Sequence, residues 1–293
     1  MRIRQKRGRI RDLDAFTWAA SGTYRLLGVP VRVRSEKASI IETLDELLAR
    51  FKTSAETRVR PSRVLSVTIN EEGRPEMLGL YRDSRRIAGT PQVAVAVSHL
   101  WAEANRLAVE AYPLFAAHSG VVASEGRAVA FPAATEAGKS TLVAACVLQG
   151  FGYVSDEALC ADLEEGVIEP YPKPLGLSPE SLALLGLPPA SPPWDQTTES
   201  AVLVESLGGR VAEGPLGLSD VVLAEFGHEE ATLDRVAPSE VMAILLKMSF
   251  NNYKHPEASF RLTARLAARA CGWRLRYGNP IEAAVLLRRR LPT

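Results

Sequence analysis

The chain has 293 residues, 46% of them hydrophobic and 24% charged, ordinary proportions for a folded globular protein. Its 35 basic and 34 acidic residues leave a formal charge of +1, with no sign of the basic excess of a general nucleic-acid binder. Three cysteines (Cys146, Cys160, Cys271) are too few and too scattered for a disulfide framework or a zinc site, and no apolar run reaches the roughly 18 residues of a membrane span.

The start is basic, with Arg2, Arg4, Lys6, Arg7, Arg9 and Arg11 inside ten residues. It lacks the apolar stretch of a secretory signal, so a cytoplasmic protein is expected. A solvated terminus is the plain reading of this arm, and a grip on an acidic or phosphorylated partner is the functional one. Gly28 to Arg34 reads as a strand. Ile40 to Phe51 reads as a helix, because Ile40, Ile41, Leu44, Leu47, Leu48 and Phe51 recur at three- and four-residue spacing. Val64 to Ile69 and Met77 to Tyr81 read as paired strands across a Glu71-Glu72-Gly73 turn. A long helix over Gln92 to Val109 closes an α+β region of residues 1–115.

From residue 116 to 293 the texture changes. Short apolar strands, Gly120 to Ala123 and Arg127 to Phe131, flank a Ser124-Glu125-Gly126 turn. A small-residue loop follows, then a helix from Gly138 to Gln149 that carries Cys146, then a strand from Tyr153 ending at Asp156-Glu157. Pro170 to Pro193 is rich in proline and leucine and is expected to wind over the surface. Val221 to Phe226 and Trp273 to Tyr277 read as strands. Pro238 to Ser249, Ser259 to Cys271 and Pro280 to Arg290 read as helices. Cys160 is expected after a strand and Cys271 on a helix, with all three thiols reduced and buried.

The segment Ala133-Ala134-Thr135-Glu136-Ala137-Gly138-Lys139-Ser140-Thr141 is a near-match to Gly-x-x-x-x-Gly-Lys-Ser/Thr, with Ala133 at the first glycine. In such a loop successive backbone N–H groups curl round a β-phosphate, so the side chains are small. Lys139 supplies a cation to the phosphates and the Ser140 hydroxyl can ligate Mg²⁺. The helix that follows aims its N-terminal N–H groups at the anion. Alanine at position 133 is tolerated if its φ is negative and strained otherwise. ATP and Mg²⁺ are the cofactors this implies. In a parallel sheet, Asp156 and Glu157 would lie at the carboxyl edge beside the loop, one reaching the metal and the other accepting a substrate proton. His118 can orient or tune that base. Lys173, in Tyr171-Pro-Lys-Pro174, is the first of several cations (Lys247, Lys254 and Arg261 are others) that can face a phosphate or the substrate.

With these parts in place, His118 to Pro174 resembles the catalytic domain of HPr kinase/phosphorylase. The resemblance rests on His118-Ser-Gly120, Ala133 to Thr141 and Val154-Ser-Asp-Glu157. It departs from the family's Asp-Asp pair at Glu157, and the family's Pro-Gly-Arg-Asn-like loop is missing. The resemblance implies an α/β fold, a P-loop kinase core of the HPr kinase/phosphoenolpyruvate carboxykinase type with a smaller α+β N-terminal region. It implies Asp156 as general base paired with His118 and Glu157 as an aid to Mg²⁺; the exchanged assignment stays open. In texture the chain is similar to HPr-kinase-related proteins that phosphorylate the C-terminal serine of lasso-peptide precursors. A peptide with an acceptor serine is thus the implied partner. The basic arm and the Gly28–Arg34 strand would grip it by strand addition. A small-molecule hydroxyl such as free serine or a sugar, and ATP binding without turnover, are the alternatives. The family forms hexamers, which leaves a homo-oligomer open.

Overall fold

The computed structural model describes residues 12–53, 63–134, 138–189 and 199–291. The basic arm of residues 2–11, and Thr135, Glu136 and Ala137 of the loop, lie outside them. The fold is mixed α/β, and the chain divides into two compact units between Ala111 and Tyr112. Among the described residues, no helix is long and apolar enough to cross a membrane.

Unit 1 holds β1 (Ala20–Leu26), β2 (Val29–Ser35), α1 (Ala38–Leu47), β3 (Arg63–Thr68), β4 (Leu78–Arg82), β5 (Arg85–Thr90) and α2 (Val93–Ala111). Its strands form one sheet in chain order. Leu27 and Gly28 both take positive φ (47° and 78°), the conformation that lets a two-residue hairpin follow the strand twist. That turn pairs β1 antiparallel with β2, and β3 pairs parallel with β2 on its other side. The Gly28–Arg34 strand therefore has no open edge, and the expected strand addition there is ruled out by its own hydrogen bonding. The helix expected over Ile40 to Phe51 ends early: α1 stops at Leu47 and a 3-10 turn, Ala49–Phe51, follows.

Unit 2 is built on an eight-stranded mixed sheet. β6 (Phe115–Ser124) and β7 (Arg127–Pro132) form a hairpin on Glu125-Gly126, again with both φ positive. The loop segment leads to α3 (Lys139–Leu148), and β8 (Gly152–Ser155) and β9 (Ala158–Ala161) then run antiparallel to β6 one after the other. β10 (Val167–Glu169) pairs with β9. β11 (Leu175–Leu177), α4 (Pro179–Leu184) and β12 (Ser200–Val202) form a small appendix, in which β11 and β12 pair. β13 (Leu216–Phe226) lies parallel to β7, and after β14 (Thr232–Arg235), α5 (Pro238–Lys247) and α6 (Pro256–Arg269), β15 (Cys271–Tyr277) lies parallel to β13. α7 (Pro280–Arg290) starts at an Asn279 cap whose side chain accepts from the amides of Ile281 and Glu282.

The near-continuous apolar run of β7 follows from burial on both faces. Val129 and Phe131 join the core under α3 and α7, whereas Ala128 and Ala130 join the core with α5 and α6 residues such as Val241 and Leu262. Helices thus cover both sides of the sheet. Gly120 lets α3 settle closely on β6, because a Cβ there would stand 2.6 Å from Val143 Cγ2.

Three expectations change. The strand ending at Asp156-Glu157 is antiparallel to its neighbour, and it does not end there: β9 carries on along β6 after the two acids, so the pair interrupts one long edge rather than closing a parallel strand. The Tyr171–Leu177 stretch does not wind over the surface. Tyr171, Lys173, Leu175 and Leu177 are all buried, Leu175 and Leu177 in the core with α3 and Lys173 against Asp156. Cys160 sits inside β9 and Cys271 opens β15 rather than ending a helix; Cys271 is only half-buried, while Cys146 and Cys160 are buried with their thiols pushed up by desolvation.

Candidate functional site

β7 delivers the chain to Ala133, whose amide donates to the His118 carbonyl at 3.4 Å. Among the described residues, those other than glycine with positive φ are Leu27, Asn70, Glu76, Asp83 and Glu125, so Ala133 takes an ordinary backbone conformation and carries no strain from its Cβ. Gly138 has φ 76° as the N-cap of α3 and makes no side-chain cap, which leaves the first-turn amides of α3 directed out of the helix end. Thr141 Oγ1 meets Ser181 Oγ at 2.7 Å, tying this turn to α4.

Lys139 is buried, and its Nζ donates to the Ala134 carbonyl at 2.5 Å. Burial holds its pKa below the usual lysine value, opposed by the charges of Glu157 and Asp156. Ser140 Oγ donates to Asp156 Oδ2 at 2.9 Å. The two halves of the sequence motif are thereby in direct contact.

Asp156 is enclosed. Oδ2 also accepts from the Gly176 amide at 3.2 Å. Oδ1 lies 2.8 Å from the Tyr153 hydroxyl and 2.7 Å from Lys173 Nζ. Lys173 is held at 4.0 Å from Glu157 and also donates to the Pro174 carbonyl. Burial lowers the Lys173 pKa, but the Asp156 and Glu157 charges outweigh it and the net shift is upward, so the amine is cationic at neutral pH. Its partner is an acid rather than solvent, because a fully buried ammonium needs a counter-charge.

Glu157 keeps about a quarter of its side chain exposed and stands 3.7 Å from His118 Nδ1. That nitrogen lies 3.1 Å from the Glu157 carbonyl, a geometry that places the proton on Nδ1 and makes Nε2 the acceptor nitrogen. Burial first, then the Lys139 charge, depress the His118 pKa to about 4, so the ring is neutral at pH 7. Phe250 meets it edge-on with centroids 5.2 Å apart, on a segment tied to β6 through His118 N to Met248 O and Phe250 N to Ala116 O.

His118, Lys139, Ser140, Asp156, Glu157 and Lys173 therefore converge at the end of β7. Lys254 donates instead to the Tyr112 carbonyl and Arg261 pairs with Glu257 on α6. Tyr153, Gly176 and Phe250 join the site without having been expected. Tyr153 carried a signal, an aromatic hydroxyl three residues before the acid; Gly176 and Phe250 carried none, since their contacts are made by the distant course of the chain. Among the described residues, no three His, Cys, Asp or Glu side chains gather to hold a metal ion. The oxygen donors present are Ser140 Oγ with the two carboxylates. Comparison with protein-family models and with curated proteins finds no match for this chain.

Proposed function

We propose that unit 2 is a P-loop phosphotransferase that binds ATP with Mg²⁺ at Ala133–Thr141 and passes the γ-phosphoryl group to a serine hydroxyl, in the manner of an HPr-kinase-like enzyme. The observation that carries the reading is the 2.9 Å bond from Ser140 Oγ to Asp156 Oδ2. It joins the first turn after the loop to the acidic pair, which is the pairing a metal-bridged triphosphate requires.

The donor set fits Mg²⁺, which favours one or two carboxylates and completes its shell with water and phosphate oxygens. Ser140 and Asp156 would hold it. When bound, the ion neutralises charge on the β- and γ-phosphates. Lys139 exchanges the Ala134 carbonyl for a phosphate oxygen, and the α3 amides take the β-phosphate. Asp156 already accepts from Tyr153, Lys173, Ser140 and Gly176, so it would reach the metal by giving up the Ser140 contact or through water, and it has no lone pair left over for a substrate proton. Glu157, with about a quarter of its side chain exposed, is the better proton acceptor, and His118 positions it through the Nδ1 hydrogen bond to its carbonyl. These are the exchanged roles relative to those the family resemblance implies. In transfer, the acceptor oxygen bonds to the γ-phosphorus as the bond to the β–γ bridging oxygen breaks. ADP leaves with that electron pair and the hydroxyl proton goes to Glu157.

The peptide character of the acceptor rests on the resemblance to lasso-precursor kinases. Incubation with Mg²⁺-ATP and serine-ended peptides, read by mass, is expected to show one added phosphate on peptide and none on free serine or sugars. A second reading, ATP binding without turnover, is favoured by the close Lys173–Asp156 pair, which already neutralises the metal-side acid. Tight ATP binding with no transfer to any acceptor would establish it instead.

A further inference from the structure

In open α/β sheets, ligands bind outside the carboxyl ends of the parallel strands. β7 reaches that edge at the loop. Its parallel companions reach it at Phe226 and Tyr277, which are direct register partners. Register partners project from one face of a sheet, and Tyr277 belongs to the core under α3 and α7, so Phe226 stands on the α3 face. Tyr277 links the two places. Its hydroxyl comes 3.7 Å from where a Cβ would stand on Gly138, and its ring meets that of Phe226 edge-on at 5.5 Å. Tyr277 is 2% exposed, but Phe226 is 56% exposed.

One exposed phenylalanine is ordinary by itself. This one sits on a fixed shelf. The amides of Gly227 and His228 both donate to the Tyr277 carbonyl, at 2.9 and 3.1 Å. A Cβ on Gly278 would stand 2.2 Å from the His228 carbonyl oxygen, so the two strand-end turns are packed backbone to backbone. The neighbouring Glu225 carboxylate is engaged by Arg274 and Arg276. The result is a rigid, uncharged aromatic face one side chain away from the phosphate loop.

We propose that Phe226 is the platform on which the nucleobase of the bound triphosphate stacks, an inference that rests on the triphosphate reading of Ala133–Thr141. Stacking uses the π-face that every base has, so Phe226 supplies affinity without choosing among bases.

The test is equilibrium binding of Mg²⁺-ATP and of inorganic tripolyphosphate to the full chain, for wild type, Phe226→Ala and Phe226→Trp. Phe226→Ala is expected to weaken ATP about tenfold while leaving tripolyphosphate unchanged, and Phe226→Trp is expected to retain ATP affinity. Unchanged ATP affinity in Phe226→Ala, or an equal loss for both ligands, overturns the platform while leaving the loop reading in place. Wild type that binds neither ligand overturns the loop reading, and the platform falls with it.

Discussion

Replacing Lys173 by methionine keeps the length of the side chain and removes its charge. In the native site the Lys173 amine is 2.7 Å from Asp156, with side-chain exposures of 5% and 1% for the two partners. The variant leaves a carboxylate buried without its cation. Removing one member of a buried pair costs about 3–5 kcal/mol, well above what an exposed pair contributes. For a domain of this size that is a fall in Tm on the order of 10 °C. The pH window follows from the raised Lys173 pKa: its contribution is complete below the ordinary lysine value of about 10.4 and is lost only as pH rises through the folded value. Thermal and urea unfolding at pH 7 therefore read the full effect. The decisive comparison is the double variant Lys173→Met with Asp156→Asn. With neither charge present it should recover most of the loss, since the penalty belongs to the orphaned acid and not to the missing amine. A single variant as stable as wild type, or a double variant no better than the single, would refute this.

Other outcomes follow from the same geometry. Because the folded His118 pKa is about 4 and the unfolded value is about 6.5, the unfolded chain binds more protons between those pH values. Stability should fall by about 3 kcal/mol as pH drops through that window, and urea titrations of His118→Phe should show a flatter profile there. Gly120→Ala drives a methyl into Val143 and should cost about 1–3 kcal/mol, with ATP affinity lowered as α3 lifts from β6; unchanged unfolding and binding would contradict the close contact. Glu157→Gln should spare ATP binding and abolish transfer, whereas Asp156→Asn should weaken the Mg²⁺ dependence; rapid turnover by Glu157→Gln would return the proton to Asp156.

The order β7, loop, α3 was legible because burial on both faces forces an unbroken apolar run and a loop opening on a helix forces small residues. α7 was legible for the same kind of local reason, a capping Asn279-Pro280 start and a basic last turn. What escaped the sequence is set by distant pairing. β1 and β5 are edge strands: β1 alternates but buries only Gly22, Tyr24 and Leu26, β5 shows no clear alternation, and nothing local says that β2 is enclosed between two neighbours. The direction of β8 and the continuation into β9 depend on β6, a strand some thirty residues earlier. Lys173 read as a cation in a proline-flanked turn that could face a phosphate or the substrate. Its burial is dictated by Asp156, with which it shares no local pattern.

The most direct measurement is a crystal structure with Mg²⁺ and a non-hydrolysable ATP analogue. The triphosphate should lie against the α3 amides, with Lys139 Nζ moved from the Ala134 carbonyl to a phosphate oxygen and the metal between Ser140 and Asp156. Lys139 still on Ala134, with the analogue bound elsewhere or not at all, would contradict the proposed function at its base.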